Sequence, residues 1–113
     1  MSIRLDKPLQ ALTVENLKPI QGQLGVYHLA DASGRVFYIG YAGGRSLFGL
    51  HGELTREMHA HEGRDIQFRC EVNQQYISRY EELLMLHKVD FGELPERVLE
   101  EYPYKIGKLS PAS

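Results

Sequence analysis

The sequence predicts an α+β domain, a small three-stranded sheet covered by helices, with the order β-β-α-β-α. Three observations carry this. Two apolar and aromatic segments, near 24–30 and 35–41, flank the polar stretch Asp31-Ala32-Ser33-Gly34, which is the pattern of a hairpin. Leu47, Leu50, Leu54 and Met58 recur at helical steps and form one apolar stripe. Between residues 65 and 72 apolar and polar residues alternate, as a half-buried strand requires. An antiparallel or mixed sheet with helices packed on it buries all of these faces.

The elements follow in order. Residues 1–23 read as a lead-in, in which Thr13 caps a short helix through Leu17 that Pro19 limits. If the turn is Asp31–Gly34, paired residue numbers in the hairpin sum to 65, and Tyr27 faces Tyr38 directly. One hairpin face then carries Val26, Phe37 and Ile39. The other carries Tyr27, Leu29, Val36 and Tyr38. Ala42-Gly43-Gly44-Arg45 reads as a loop, and Ser46 as the N-cap of a helix to about His61, which Gly63 ends. A second helix spans roughly 75–90, with Tyr76, Ile77, Tyr80, Leu83, Leu84, His87 and Phe91 as its apolar arc. Gly92 and Pro95 break it, and a short helix covers Pro95–Glu101. Residues 24–105 form the expected domain and 106–113 a tail.

Composition bounds the function. With 113 residues, 42% hydrophobic and 25% charged, the chain suits one globular domain. No apolar run reaches membrane length, so no membrane role is expected. The start, Met1–Asp6, has no signal-peptide core, and a reducing cytoplasm is the expectation. The single Cys70 cannot close an internal disulfide, and the strand pattern directs it inward as a core residue. The net charge of −2 excludes a protein that holds DNA through its overall basicity. Arg45, Arg56 and Arg64 are interleaved with Glu53, Glu57 and Glu62, so any grip on DNA is local and weak without a partner.

Several residues carry candidate chemistry. Tyr27 and Tyr38 place two hydroxyls among apolar carbon, and a tyrosine acts as a base near neutrality only beside a cation or metal. Arg45, Gly49, Gly52 and Arg56 fall on one helical face, and two glycines at that spacing imply close approach of another group. Gly43 and Gly44 at a helix start offer backbone N–H groups to a phosphate. On the second helix Glu82 pairs with Arg79 at the surface. Glu81 sits at the border of the apolar arc with no basic residue three or four positions away, which favours it as a metal ligand. His59 and His61 do not share a helical face and have no cysteine pair, so zinc is not expected. His28 and His87 read as core histidines.

Gly25-Val26-Tyr27 and Tyr38-Ile39-Gly40, at this separation and in this order of elements, resemble the signature of the GIY-YIG nucleases over roughly residues 24–91. The resemblance implies a Mg²⁺- or Mn²⁺-dependent endonuclease that hydrolyses a DNA phosphodiester. It implies Tyr27 as general base, Tyr38 as its partner, Glu81 as metal ligand and His51 as a proton relay. It also implies an arginine that stabilises the phosphorane, either Arg45 or Arg56. Gly40, Tyr41, Gly43, Gly44 and Arg56 are the expected substrate contacts, with Tyr41 standing where family members often carry Lys. The other expectation is a module of the same shape without catalysis, binding nucleic acid or a protein. Met85 and Leu86, outside the arc, would then meet a partner or a second copy.

Overall fold

The structure is a computed structural model that describes residues 4–101. The elements are β1 (Gln10–Ala11), α1 (Val14–Leu17), β2 (Gly25–Ala30), β3 (Val36–Ala42), α2 (Gly49–Ala60), β4 (Gln67–Val72), α3 (Tyr76–Phe91) and α4 (Glu96–Glu101). The class is α+β as expected, but the sheet has four strands, in the order β1-β4-β2-β3, all antiparallel. The extra strand comes from the lead-in, where Gln10 and Ala11 pair with Phe68 and Gln67. The lead-in also places Leu5, Leu12 and Leu17 in the core, so residues 4–23 are part of this domain. Thr13 caps α1 by accepting from the Asn16 N–H. The expected tail, 106–113, and the last residues assigned to the domain lie outside the described residues.

The hairpin register differs from a simple four-residue turn. Asp31 N–H donates to the Arg35 carbonyl, and Gly34 N–H to the Asp31 carbonyl. The loop is therefore Ala32–Gly34, with Gly34 at φ 91°, the geometry of a type I turn followed by a left-handed residue. The Asp31 carboxylate holds it, accepting from Ser33 N–H, Ser33 Oγ and Arg35 N–H. A β-bulge then follows, so that Ala30 pairs with Val36 but Leu29 with Tyr38. Each irregularity shifts the register by one residue. Two shifts restore the faces of everything beyond the bulge, because the side-chain period is two. Tyr27 thus lies opposite Gly40, not Tyr38, while Tyr27 and Tyr38 remain on one face. Between the shifts Val36 and Phe37 exchange faces: Val36 falls on the His28 side, and Phe37 packs on the His61 ring at 5.7 Å.

Helices cover both faces. Leu50 and Leu54 of α2 bury against the Tyr27 and Leu29 face, with Phe68 beside them. Leu83 and Leu84 of α3 cover the Val26 and Ile39 face. Helix α2 begins at Gly49, two residues later than a cap at Ser46 implies. Phe48 and Gly49 have φ of 64° and 55°, a left-handed pair that a right-handed helix cannot continue through. Leu47 is consequently exposed and outside the stripe. The close approach implied by Gly49 and Gly52 is the chain's own backbone: a Cβ at Gly49 would lie 2.4 Å from Gly22, and one at Gly52 2.3 Å from the Leu47 carbonyl. Helix α3 is also rotated from its expected arc. Ile77 and Phe91 face solvent, whereas Arg79 is buried and bound by Glu71 of β4 and by Glu82. Cys70 is a free, half-buried thiol whose pKa burial pushes up.

Candidate functional site: a tyrosine cleft at the sheet edge

The close pairing of the two tyrosines begins with two glycines. At Gly40 a Cβ would meet Tyr27 Cζ at 2.4 Å, its hydroxyl at 2.5 Å and the Tyr38 ring at 2.8 Å. Glycine there lets the Tyr27 ring lie across β3. At Gly25 a Cβ would come within 2.1 Å of the Glu71 carbonyl and 2.8 Å of Leu50, so this residue lets β4 and α2 close on β2. The ring centroids of Tyr27 and Tyr38 end 6.1 Å apart at a 52° tilt, a diagonal aromatic pair.

These rings form the floor of an open cleft of about 450 Å³ over the free edge of β3. All five tyrosines among the described residues line it: Tyr27, Tyr38, Tyr41, Tyr76 and Tyr80. Alternation puts Tyr41 on the α3 side, where it stacks on Tyr76 (5.6 Å, 22°) and meets Tyr80 edge-on (4.9 Å, 66°). Arg45, Arg56, Gly43 and Gly44 complete the walls among the residues expected from sequence. Arg45 is exposed in the loop before α2, not on the helix, and makes no ion pair among the described residues. Arg56 is on α2 and is bound to Glu53 at 2.5 Å.

The glycine amides are already occupied. Gly43 N–H donates to Ser46 Oγ and Gly44 N–H to the Tyr76 hydroxyl, so neither is presented to a phosphate. Ser46 acts in this loop and not as the cap of α2, whose cap residue is Phe48. The lack of a side chain at Gly43 serves the cleft differently, since a Cβ there would sit 2.8 Å from the Tyr76 ring.

Beneath the floor lies a network that the sequence pattern does not single out. Glu57, 2% exposed, receives both ends of the Arg97 guanidinium at 2.8 and 2.5 Å and a long hydrogen bond from the Tyr27 hydroxyl at 3.4 Å. Arg97 reaches it from α4 with its guanidinium carbon 3.6 Å from the centre of the Tyr38 ring. His61 adds a hydrogen bond at 2.9 Å between Nδ1 and the Glu57 carbonyl. One sequence signal points to Glu57: it lies three residues after Leu54 on the apolar stripe, where a carboxylate demands a buried partner. No comparable signal marks Arg97, which arrives from the far end of the chain.

Electrostatics sets what the tyrosines can do. Burial pushes the Tyr27 pKa far above that of a free phenol, and the negative forms of Tyr38, Glu57 and Glu53 push it further against the opposing Arg97. Tyr27 is therefore a neutral hydrogen-bond donor. The carboxylates nearest it are held by arginines, Glu57 by Arg97 and Glu53 by Arg56. Glu81 is exposed on α3 and does not line the cleft. His51 does not line it either; its Nδ1 lies 2.9 Å from the Ile20 carbonyl and 3.2 Å from that of Leu17, closing the end of α1. Among the described residues no three His, Cys, Asp or Glu side chains converge as a metal cage. The donor set in the cleft, phenols and arginine-bound carboxylates, does not fit a resident divalent cation as it stands.

The chain belongs to the family described as a domain of unknown function, DUF7508, which it matches over residues 3–90. No curated protein and no solved structure matches it. No helix among the described residues is long and apolar enough to cross a membrane.

Proposed function

We propose that this chain is a GIY-YIG-like module that binds nucleic acid, taking a single-stranded or frayed segment into the tyrosine cleft without cutting it. One observation carries the reading: the accessible rings of Tyr41, Tyr76 and Tyr80 and the guanidinium of Arg45, which has no ion-pair partner among the described residues, converge on one open cleft of about 450 Å³. Aromatic faces stack on unpaired bases whatever their sequence, and an exposed guanidinium meets the backbone phosphate. The cleft straddles a sheet edge, so a strand can pass along it. The signature tyrosines, Tyr27 and Tyr38, form the floor, where a neutral Tyr27 phenol supports binding over proton abstraction. With a net charge of −2 the affinity is modest and falls with salt.

Fluorescence anisotropy of a labelled short single strand at low and physiological salt tests this. Tyr41→Ala is expected to weaken binding by about 1–3 kcal/mol, the value of one base–aromatic stack. Arg45→Ala is expected to weaken it and to reduce the salt slope by about 1. Absence of binding at low salt overturns the reading, as does binding indifferent to both substitutions.

A second reading, hydrolysis of a DNA phosphodiester with Mg²⁺ or Mn²⁺, is favoured by one feature, the Glu53 carboxylate in the wall of the same cleft, which a cation arriving with the substrate would have to take from Arg56. Nicking of supercoiled plasmid that disappears in Tyr27→Phe and in Glu53→Gln would establish it.

A further inference from the structure

The other face of the sheet holds a separate cavity of about 600 Å³ that shares no residue with the tyrosine cleft. Its walls are largely apolar, with Val36 of β3, Leu83 and Leu86 of α3, and Leu94 and Pro95 before α4, and the largely exposed Phe91 borders it at the end of α3. His28 of β2 also lines it, and His28 is more than nine-tenths buried. Arg69 on the neighbouring strand donates its Nε–H to His28 Nδ1 at 3.0 Å, and its Nη1 to the Lys7 carbonyl at 3.1 Å. A nitrogen that accepts from arginine carries no proton of its own, so the imidazole proton resides on Nε2. That Nε2–H is buried and meets no acceptor among the described residues. It is the one side-chain atom among them in this condition. A buried donor left unpaired costs free energy that native proteins rarely concede without a purpose.

We propose that this cavity is a binding site for a small apolar molecule bearing an oxygen acceptor, a carboxylate or a carbonyl, which the Nε2–H of His28 receives. The apolar walls would take the body of the ligand and the imidazole its oxygen, the usual division of labour in a small-molecule pocket. The rim carries charges of both signs. Arg4 and Asp90 face each other across it in a two-point ion pair at 2.7 and 2.8 Å, and Arg35, Asp6, Glu93 and Glu96 stand nearby. Ser33 and His87 line the cavity too, but the Ser33 hydroxyl donates to Asp31 and His87 Nδ1 meets the Glu93 carbonyl, which leaves the His28 Nε2–H as the buried donor without a partner among the described residues. Burial and the adjacent Arg69 keep the imidazole neutral, and its lowered pKa fits a fixed donor in place of a titrating switch.

The test is a titration of the full chain with benzoate, benzamide and benzylamine, followed by nitrogen–proton NMR of the histidine side chains and carbon–proton NMR of the Leu83 and Leu86 methyls. Benzylamine carries the same ring without an oxygen acceptor. Benzoate or benzamide is expected to shift the His28 Nε2–H and both methyls saturably, and benzylamine is not. Response to benzoate alone assigns a carboxylate, and response to both assigns a neutral carbonyl acceptor. His28→Phe, which keeps the ring volume and removes the donor, is expected to weaken binding roughly tenfold. Leu86→Trp intrudes on the cavity from α3 while leaving the His28 donor in place and is expected to weaken binding, so the proposal stays testable if the His28 variant does not fold. Absence of saturable shifts with either oxygen ligand overturns it. So does an equal response to benzylamine, a His28 proton found on Nδ1, or affinity unchanged by Leu86→Trp.

Discussion

Removing Arg97 tests the floor of the cleft most sharply. Glu57 is 2% exposed, and both its oxygens are met by the Arg97 guanidinium at 2.8 and 2.5 Å. The remaining contacts to the carboxylate are the long Tyr27 hydroxyl bond at 3.4 Å, Arg56 at 4.0 Å and His61 at 3.8 Å, none of which replaces a two-point guanidinium. Taking one partner from a buried ion pair leaves an uncompensated charge and costs about 3–5 kcal/mol. The lost contact with the Tyr38 ring adds about 0.5–1 kcal/mol. Arg97→Met keeps the aliphatic stem and removes the charge, so its cost reports the charge itself. Glu57→Gln leaves Arg97 partly exposed and able to reach water, and should cost less, about 1–3 kcal/mol. The double variant Glu57→Gln/Arg97→Met should then recover part of the loss, with a coupling of about 2 kcal/mol between the sites. Urea denaturation of the four proteins measures this, since a single domain of this size has only about 5–15 kcal/mol to lose. An Arg97→Met cost below about 1 kcal/mol, or additive single changes, would refute the network.

Three further outcomes follow from the same geometry. Gly40→Ala forces a Cβ to within 2.4 Å of a buried ring, so it should destabilise by about 1–3 kcal/mol or more and lower the urea midpoint, while Gly44→Ala, whose Cβ would meet nothing nearer than the Tyr76 hydroxyl at 3.9 Å, should not show this overpacking. His28 is neutral in the fold with a pKa lowered from 6.5 to about 3, so the unfolded chain binds more protons between these values. Stability from this group is fully present above pH 6.5 and falls by up to about 1.4 kcal/mol per pH unit as pH drops towards 3. A pH series of thermal melts should show that slope, reduced in His28→Phe. Ser46→Ala removes the acceptor of the Gly43 N–H and should loosen the loop that carries Arg45, detectable as faster amide exchange at Gly43.

Much of this architecture is legible in the sequence because its signals are local. Thr13 marks the start of α1, strict alternation marks β4, and Gly92 at φ 82° ends α3 where a left-handed residue is needed. The hairpin register is less legible. The Asp31 side chain tightens the loop to three residues and the bulge adds a second shift, and neither is visible in an apolar pattern. The faces of Tyr27 and Tyr38 remain as expected because the two shifts sum to an even number, whereas Val36 and Phe37, caught between them, exchange. The start of α2 depends on Gly22 lying against Phe48 and Gly49, a contact between distant residues. The α3 arc turns because Arg79 finds two carboxylates, one on β4, and a buried guanidinium displaces Ile77 to solvent. In the cleft, Tyr27, Tyr38, Tyr41, Arg45 and Arg56 come together as their positions suggest, and Tyr76 and Tyr80 join them across the sheet edge. Arg97 had no sequence signal because its role is set by a carboxylate forty residues away.

Photocrosslinking of a bromouridine-substituted single strand, with the crosslinked residues located by mass spectrometry, tests the central claim most directly. The account predicts crosslinks at Tyr41 and Tyr76 that fall away at high salt and in Arg45→Ala. Crosslinks confined to other surfaces, or none at low salt, would contradict it.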